Sequence, residues 1–316
     1  MQKLRIAVLC GGTSAEREVS LKTGAQIVSA LDAERYLVST FDVGNLPALA
    51  VAAKEERPDV VVIALHGPGG EDGTVQGFLD VCGIAYTGSG VLASALAMDK
   101  ARCKAFFGTE SIVTPPGMVL YRGDTARNRR ASADVGRDLG YPVIVKPSRQ
   151  GSTYGCVVVN AADEMRAALE TAFKYDDTAL VEQRLEGTEI TVAVLGNDDP
   201  VPLPVVEIVA KDGFFDYEAK YTSGAGAAAE IVPARISAEA TAEAQAIAVQ
   251  CHRLLGCRGM SRTDMFVLDD DSIVVLETNT IPGMTETSLL PKAAAAAGIT
   301  FPALLDHLIK LAREAR

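Results

Sequence analysis

The chain reads as an α/β protein that opens on a parallel sheet and turns α+β in its later parts, and three observations lead there. Apolar runs Leu4 to Leu9 and Val60 to Leu65 alternate with amphipathic stretches over the first hundred residues, the pattern of βαβ units. Near the far end, segments Arg262 to Leu268 and Ile273 to Thr278 flank the turn Asp269 to Ser272, which is a hairpin signature. The 316 residues suit two or three domains at about 150 residues each or somewhat fewer.

Taken in order, strand Leu4 to Leu9 runs into GGTSAE, and a helix from about Glu18 to Leu31 precedes strands Tyr36 to Phe41 and Val60 to Leu65. Function in a parallel sheet gathers at the carboxyl ends of its strands. Those ends carry the glycine-rich turns GGTSAE and HGPGGEDG, so both are expected to open toward one crevice. A helical stretch from about Ser89 to Phe107 leads out, and Thr114, Pro115, Pro116 and Gly117 mark entry into a second unit. That unit holds a helix near Thr125 to Leu139, strand Pro142 to Val145 ending on Lys146, and the loop Pro147 to Gly155. Strand Cys156 to Val159, a helix near Ala162 to Phe173 and strand Ala179 to Glu182 complete it. A strand from Glu189 to Leu195, a polar stretch Lys211 to Ala228 and a helix from Ser237 to Leu255 follow. Ser237 can cap that helix and Gly256 stop it, with Ala240, Ala244, Ile247, Cys251 and Leu254 as its buried stripe.

Composition narrows the function classes. Lys and Arg number 30 against 41 Asp and Glu, a net charge of −11, which disfavours a dominant electrostatic grip on nucleic acid or an anionic membrane. The plain apolar stretches fall far short of a spanning helix, and no export signal precedes the first strand. A cytoplasmic protein with reduced, buried thiols is expected, because the six cysteines include no C-x-x-C pair. Three histidines without H-E-x-x-H speak against a histidine-rich zinc site. Neither G-x-x-x-x-G-K-[ST] nor G-x-G-x-x-G occurs, so any nucleotide site needs another fold.

The chemistry concentrates in four strings. Within the hairpin, Arg262 shares a face with Asp264, and Glu277 shares one with Asn279 just beyond the strand end. If the register brings these faces together, two carboxylates and an amide oxygen converge, which suits magnesium; a solvated acidic hairpin is the ordinary alternative. In VIVKPSRQGSTYG an apolar strand delivers Lys146 to a loop with Gly151, Ser152, Thr153 and Gly155; such glycines permit close backbone approach to a phosphate and an ammonium can offset its charge, an ordinary glycine-rich hairpin loop being the alternative. Lys100, after Met98 and Asp99, is a candidate second cation. In LVEQRLEGTEITV, Glu182 ends one strand and Glu189 begins the next, where they are either acceptors for an adenine amine or ribose hydroxyls or ordinary surface glutamates. Lys220 and Tyr221 ride EAKYTSGAG, a glycine-containing stretch of the kind that closes over a site.

Read together with LCGGTSAEREVSL and LHGPGGEDGTVQG, these strings resemble the D-alanine:D-alanine ligases of the ATP-grasp superfamily. GGTSAEREVS, LHGPGGEDGTVQG, YTGSG, MDK, VIVKPS, DYEAKY, ET-N and PGMT-TSL stand in that family's order between residues 11 and 289. The resemblance implies an N-terminal α/β domain over 1–97, a central ATP-grasp subdomain over 98–185 and a C-terminal one over 186–316, with ATP between the last two. It implies nucleotide contacts from Lys100, Lys146, Ser152, Glu182, Leu185, Glu189, Lys220 and Asn279. It implies Mg2+, for which Mn2+ can substitute, on Asp264, Glu277 and Asn279. Glu16 would meet the ammonium of a first D-alanine, held through Ser152 and Tyr221, with His66 beside the substrates. Arg262 and the N–H of Gly283 would form an oxyanion hole, and Ser288 with the N–H of Leu289 would take a terminal carboxylate at a helix start. A homodimer making D-alanyl-D-alanine for peptidoglycan follows from the same likeness. The alternatives are a ligase with another second substrate such as D-serine, a non-catalytic nucleotide-binding relative and, more remotely, an NAD-dependent dehydrogenase.

Overall fold

Strand β1 (Leu4–Cys10) is buried continuously from Ile6 to Cys10, as befits a parallel strand covered on both faces. It lies between β2 (Tyr36–Asp42) and β3 (Val60–Ile63), parallel to both, in the order β2-β1-β3. The computed structural model describes residues 3–44, 57–151, 154–209, 229–285 and 287–314. Helix α1 (Arg17–Ala30) covers the sheet through Val19, Thr23 and Ile27, and α2 (Thr74–Cys82) follows the second glycine-rich turn.

The expected single helix from Ser89 to Phe107 is two helices, α3 (Val91–Met98) and α4 (Lys100–Thr109). The break is at Asp99, whose extended backbone and side chain, accepting from Arg102 N at 3.2 Å, start a new helix. Cys103 and Phe107 of α4 sink into the core of the C-terminal sheet, whereas the core of the central sheet begins with Met118 and Leu120. Both helices of this pair bury apolar side chains in the core of the C-terminal sheet, α3 through Ala93 and Ala97.

Four strands form the central antiparallel sheet: β4 (Gly117–Tyr121), β5 (Val143–Pro147), β6 (Val157–Val159) and β7 (Thr178–Gln183), in the order β4-β7-β5-β6. Val143, Val145 and Val181 meet the buried sides of α5 (Thr125–Asp138) and α6 (Met165–Ala172) in one core. Lys146 and Glu182 therefore lie on the face away from these helices. β4 was not foreseen, because Pro115 and Pro116 mask the strand that starts at Gly117.

The third sheet is built on β8 (Thr188–Gly196), flanked by β10 (Val206–Val209) and β12 (Gly259–Val267), and extended by β11 (Ala229–Ile231), β13 (Ile273–Asn279) and the short β9 (Val201–Pro202). Helix α7 (Ala238–Leu255) packs on one face; Ser237 accepts from Ala240 N at 3.0 Å, and Gly256 ends the helix at φ +71°. Its buried stripe runs Ala240, Ala244, Ala248, Cys251 and Leu255. Ile247 and Leu254 sit at its margin, because the drift of a 3.6-residue period puts the alanine and leucine one step on at the centre. On the other face Ala193, Leu195 and Met260 join the N-terminal core, together with α8 (Leu289–Ala296) and α9 (Phe301–Ala312). Among the described residues no single helix is long and apolar enough to cross a membrane.

Candidate active site

The hairpin register settles which side chains meet. Asp264 lies directly opposite Glu277 and Arg262 opposite Asn279, with a register shift between Asp264 and Met265, which pairs with Val275. The shift leaves Leu276 as an extra residue. It lets Val275 and Ile273 join the apolar core while Glu277 stays on the same side as Asp264. Arg262 forks onto Asp264, with Nε to Oδ1 and Nη2 to Oδ2 both at 2.8 Å, and Thr191 on β8 donates to Oδ1 at 2.5 Å. Asn279 Oδ1 accepts from Ile281 N at 2.9 Å.

Lys100 reaches Glu277 Oε2 at 3.0 Å and donates to the Gln150 carbonyl at 2.8 Å. Its position follows from the start of α4: Ser148 Oγ donates to Asp99 Oδ1 at 2.7 Å, and Lys100 N donates to Ser148 O at 3.0 Å. Helix α4 is thereby tied to the loop that leaves β5. Burial works against the Lys100 charge, but Glu277 outweighs it and holds the ammonium above its ordinary range.

On the central sheet Lys146 Nζ lies 2.6 Å from Glu182 Oε2. Glu182 is only 3% exposed. Burial raises its pKa, yet Lys146 and Lys104 together bring it below the ordinary carboxylate value. Lys146 also feels Glu277, and these two acids, against the cost of burial, push its ammonium up to about 12.

The N-terminal sheet contributes Glu16 and His66. Glu16 sits just before α1, 5% exposed, between two glycines. A Cβ on Gly67, at φ +72°, would come within 2.6 Å of Glu16 Oε2, and one on Gly151 within 2.9 Å. The glycine-rich turns thus leave room for a carboxylate. Ser14 Oγ donates to the His66 carbonyl at 2.7 Å and accepts from Glu16 N at 3.2 Å, which locks the two turns together. The His66 ring is held by Glu71 Oε1 and Thr23 Oγ1, both at 3.2 Å. From the other side, Ser288 at the start of α8 accepts from Thr285 N at 3.0 Å, and a Cβ on Gly283 would meet its Oγ at 2.7 Å. The first turn of a helix carries backbone N–H groups without intrahelical partners, which suits an anion at the start of α8.

Of the residues singled out from sequence, Glu16, His66, Lys100, Arg262, Glu277, Asn279, Gly283 and Leu289 line one cleft. Lys146 and Glu182 pair with each other on the central sheet, and Asp264 is held by Arg262. Glu189 is on β8 two residues from Thr191, hence on the Asp264 face, and Leu185 lies in the connection between β7 and β8; neither lines the cleft. Ser152, Lys220 and Tyr221 fall outside the described residues. Sequence reasoning missed Glu71, the partner of His66; Thr191, the partner of Asp264; Glu230, which lines the cleft and pairs with Lys292; and Lys104, which pairs with Glu182. Only Lys104 left a signal, one helical turn beyond Lys100.

Comparison with known proteins gives the family. Residues 44–89 match the family model described as D-ala D-ala ligase N-terminus, and residues 106–310 the one described as D-ala D-ala ligase C-terminus. A D-alanine–D-alanine ligase of Syntrophobacter fumaroxidans is 50% identical over 318 residues, covering 99% of each chain. Among solved structures, the D-alanine–D-alanine ligase of Bacillus anthracis complexed with ATP superposes with a TM-score of 0.82 at 34% identity, over 98% of this chain and 96% of that one. The VanG D-Ala:D-Ser ligase of Enterococcus faecalis gives 0.83 at 33% identity, over 98% and 100%. By its fold, by the cleft the three sheets enclose and by likeness along nearly its whole length, the chain belongs to the D-alanine–D-alanine ligase family of ATP-grasp proteins.

Proposed function

We propose that this protein is an ATP-dependent ligase that joins two D-alanines to give D-alanyl-D-alanine, ADP and phosphate for peptidoglycan synthesis. The observation that carries the reading is the gathering, in one cleft, of a buried carboxylate for an ammonium (Glu16), a cation for a triphosphate (Lys100) and Glu277 of the hairpin, which faces Asp264 across the strand pair.

A carboxylate has no adequate leaving group, so one D-alanine must be phosphorylated before the amine of the other can displace phosphate. Glu16, seated against Gly67 and Gly151, receives the ammonium of the first D-alanine and aims its carboxylate at the γ-phosphate. Lys100 and Lys146 neutralise phosphate charge, with Lys220 and Ser152 assigned to the same task by their place in the family's motifs. Arg262 and the Gly283 N–H take the charge that develops on the carbonyl oxygen when the second amine attacks. Ser288 and the N–H of Leu289, at the electropositive start of α8, hold the carboxylate of the second D-alanine. His66, fixed by Glu71 and Thr23, and Tyr221 complete the substrate side.

Asp264, Glu277 and Asn279 would hold Mg2+. Two facing carboxylates beside an amide oxygen are hard donors of the right kind, and their charge is matched here by Arg262 and Lys100. When bound, the ion supplies Lewis-acid stabilisation of the transferring phosphoryl group. The reading includes the domain division at 97 and 185, a cytoplasmic location and a homodimer, all resting on the family likeness.

The test is to supply ATP, Mg2+ and D-alanine to the purified chain, measure phosphate release and identify the product, offering D-serine and D-lactate as alternative acceptors. D-Alanine-dependent phosphate release with D-alanyl-D-alanine as main product is expected. Release that ignores D-alanine would overturn the ligase reading, and a preference for D-serine would move the chain to a different second substrate.

A further inference from the structure

Helix α4 presents two ammonium groups one turn apart, and each meets a carboxylate of a different sheet. Lys100 pairs with Glu277 of the C-terminal hairpin at 3.0 Å, and Lys104 pairs with Oε1 of Glu182 on the central sheet. The other oxygen of Glu182, Oε2, is taken by Lys146 at 2.6 Å. All three members of this Lys–Glu–Lys group are shielded from water: the Lys104 side chain is 9% exposed, that of Glu182 3% and that of Lys146 13%.

The arithmetic of charge gives Lys104 its role. A buried Glu182 with Lys146 alone would be a neutral pair, and Lys146 could approach an incoming phosphate only by leaving a buried carboxylate uncompensated, which is costly. With Lys104 on Oε1, Glu182 is already neutralised, and the group carries one net positive charge. We infer that Lys104 is a positioning residue of the nucleotide step: by holding Oε1 of Glu182 it frees Lys146 to turn from Oε2 toward the phosphates. This rests on the reading of the cleft as an ATP site. Burial, set against Glu182, lowers the Lys104 ammonium to about 8, which fits a cation retained in a dry place only because its carboxylate partner is there.

The experiment uses the full chain, with ATP varied at saturating D-alanine and D-alanine varied at saturating ATP. Lys104→Met is expected to raise KM for ATP by on the order of tenfold, equivalent to about 1.4 kcal/mol, and to leave both kcat and KM for D-alanine within about twofold of the parent. A mere brace between helix and sheet would instead lower thermal stability and shift kcat and both KM values together. That pattern, or an unchanged KM for ATP, overturns the assignment. Should Lys104→Met not fold, Lys104→Met combined with Glu182→Gln carries the test. Because Lys104 acts through the Glu182 charge, the double variant is expected to match Glu182→Gln alone in KM for ATP, and a further tenfold rise would contradict it. If the parent shows no D-alanine-dependent turnover, the ligase reading fails by itself. Calorimetric binding of a non-hydrolysable ATP analogue to parent and Lys104→Met then still decides the role of Lys104: weaker binding by the variant supports it, and equal binding removes it.

Discussion

Glu277→Ala is expected to lower D-alanine-dependent ATP turnover by roughly a thousandfold, the rate equivalent of losing several kcal/mol of charge stabilisation on the phosphoryl group. Glu277 stands opposite Asp264 at the cleft end of the hairpin, so its removal leaves one carboxylate and an amide for the ion. The fold should survive. The Glu277 side chain is partly exposed, the apolar side of its strand is formed by Ile273 and Val275, and Lys100 keeps its bond to the Gln150 carbonyl. The check is a steady-state phosphate assay beside a circular dichroism melt. A folded variant with near-parental turnover would remove the hairpin as the metal site.

Arg262→Lys is expected to lower kcat by roughly a hundredfold or more, the cost of removing one preorganised donor to a developing oxyanion. The substitution keeps the positive charge but not the fork. Arg262 meets both oxygens of Asp264 with two parallel bonds of 2.8 Å, and a lysine ammonium is a single point that cannot do so while facing a substrate oxygen. Turnover should therefore fall while the binding of ATP measured by calorimetry changes little. A loss of ATP affinity matching the loss of rate would show that Arg262 acts on the nucleotide and not on the tetrahedral intermediate.

Much of the architecture was legible because its signals are local. The period of two in Arg262, Asp264, Glu277 and Asn279 placed the chemistry on one face, and Ser237 and Gly256 bounded α7 as their capping chemistry requires. What sequence could not deliver was anything decided by distant partners. The shift that pairs Met265 with Val275 leaves no mark in the alternation of hydrophobic residues, since Ile273, Val274 and Val275 are all apolar. Asp99 looked like one more residue in a helical run until Ser148, brought close by β5, gave it a reason to cap a second helix. Lys104 stands one helical turn beyond Lys100, but only its ion pair with a strand of the central sheet gives it a partner in Glu182. Glu71 and Thr191 likewise gain meaning from a histidine and an aspartate on other elements.

The central claim is that the cleft makes a carboxyl group reactive by transferring phosphoryl from ATP to it, beside a second amine. The most direct measurement supplies D-alanine labelled with oxygen-18 in its carboxyl group, together with ATP and Mg2+, and follows the isotope by mass spectrometry. One labelled oxygen in the phosphate released per dipeptide formed is the outcome this account predicts, because the acyl phosphate breaks at its carbon–oxygen bond. Phosphate that carries no oxygen from D-alanine would contradict it.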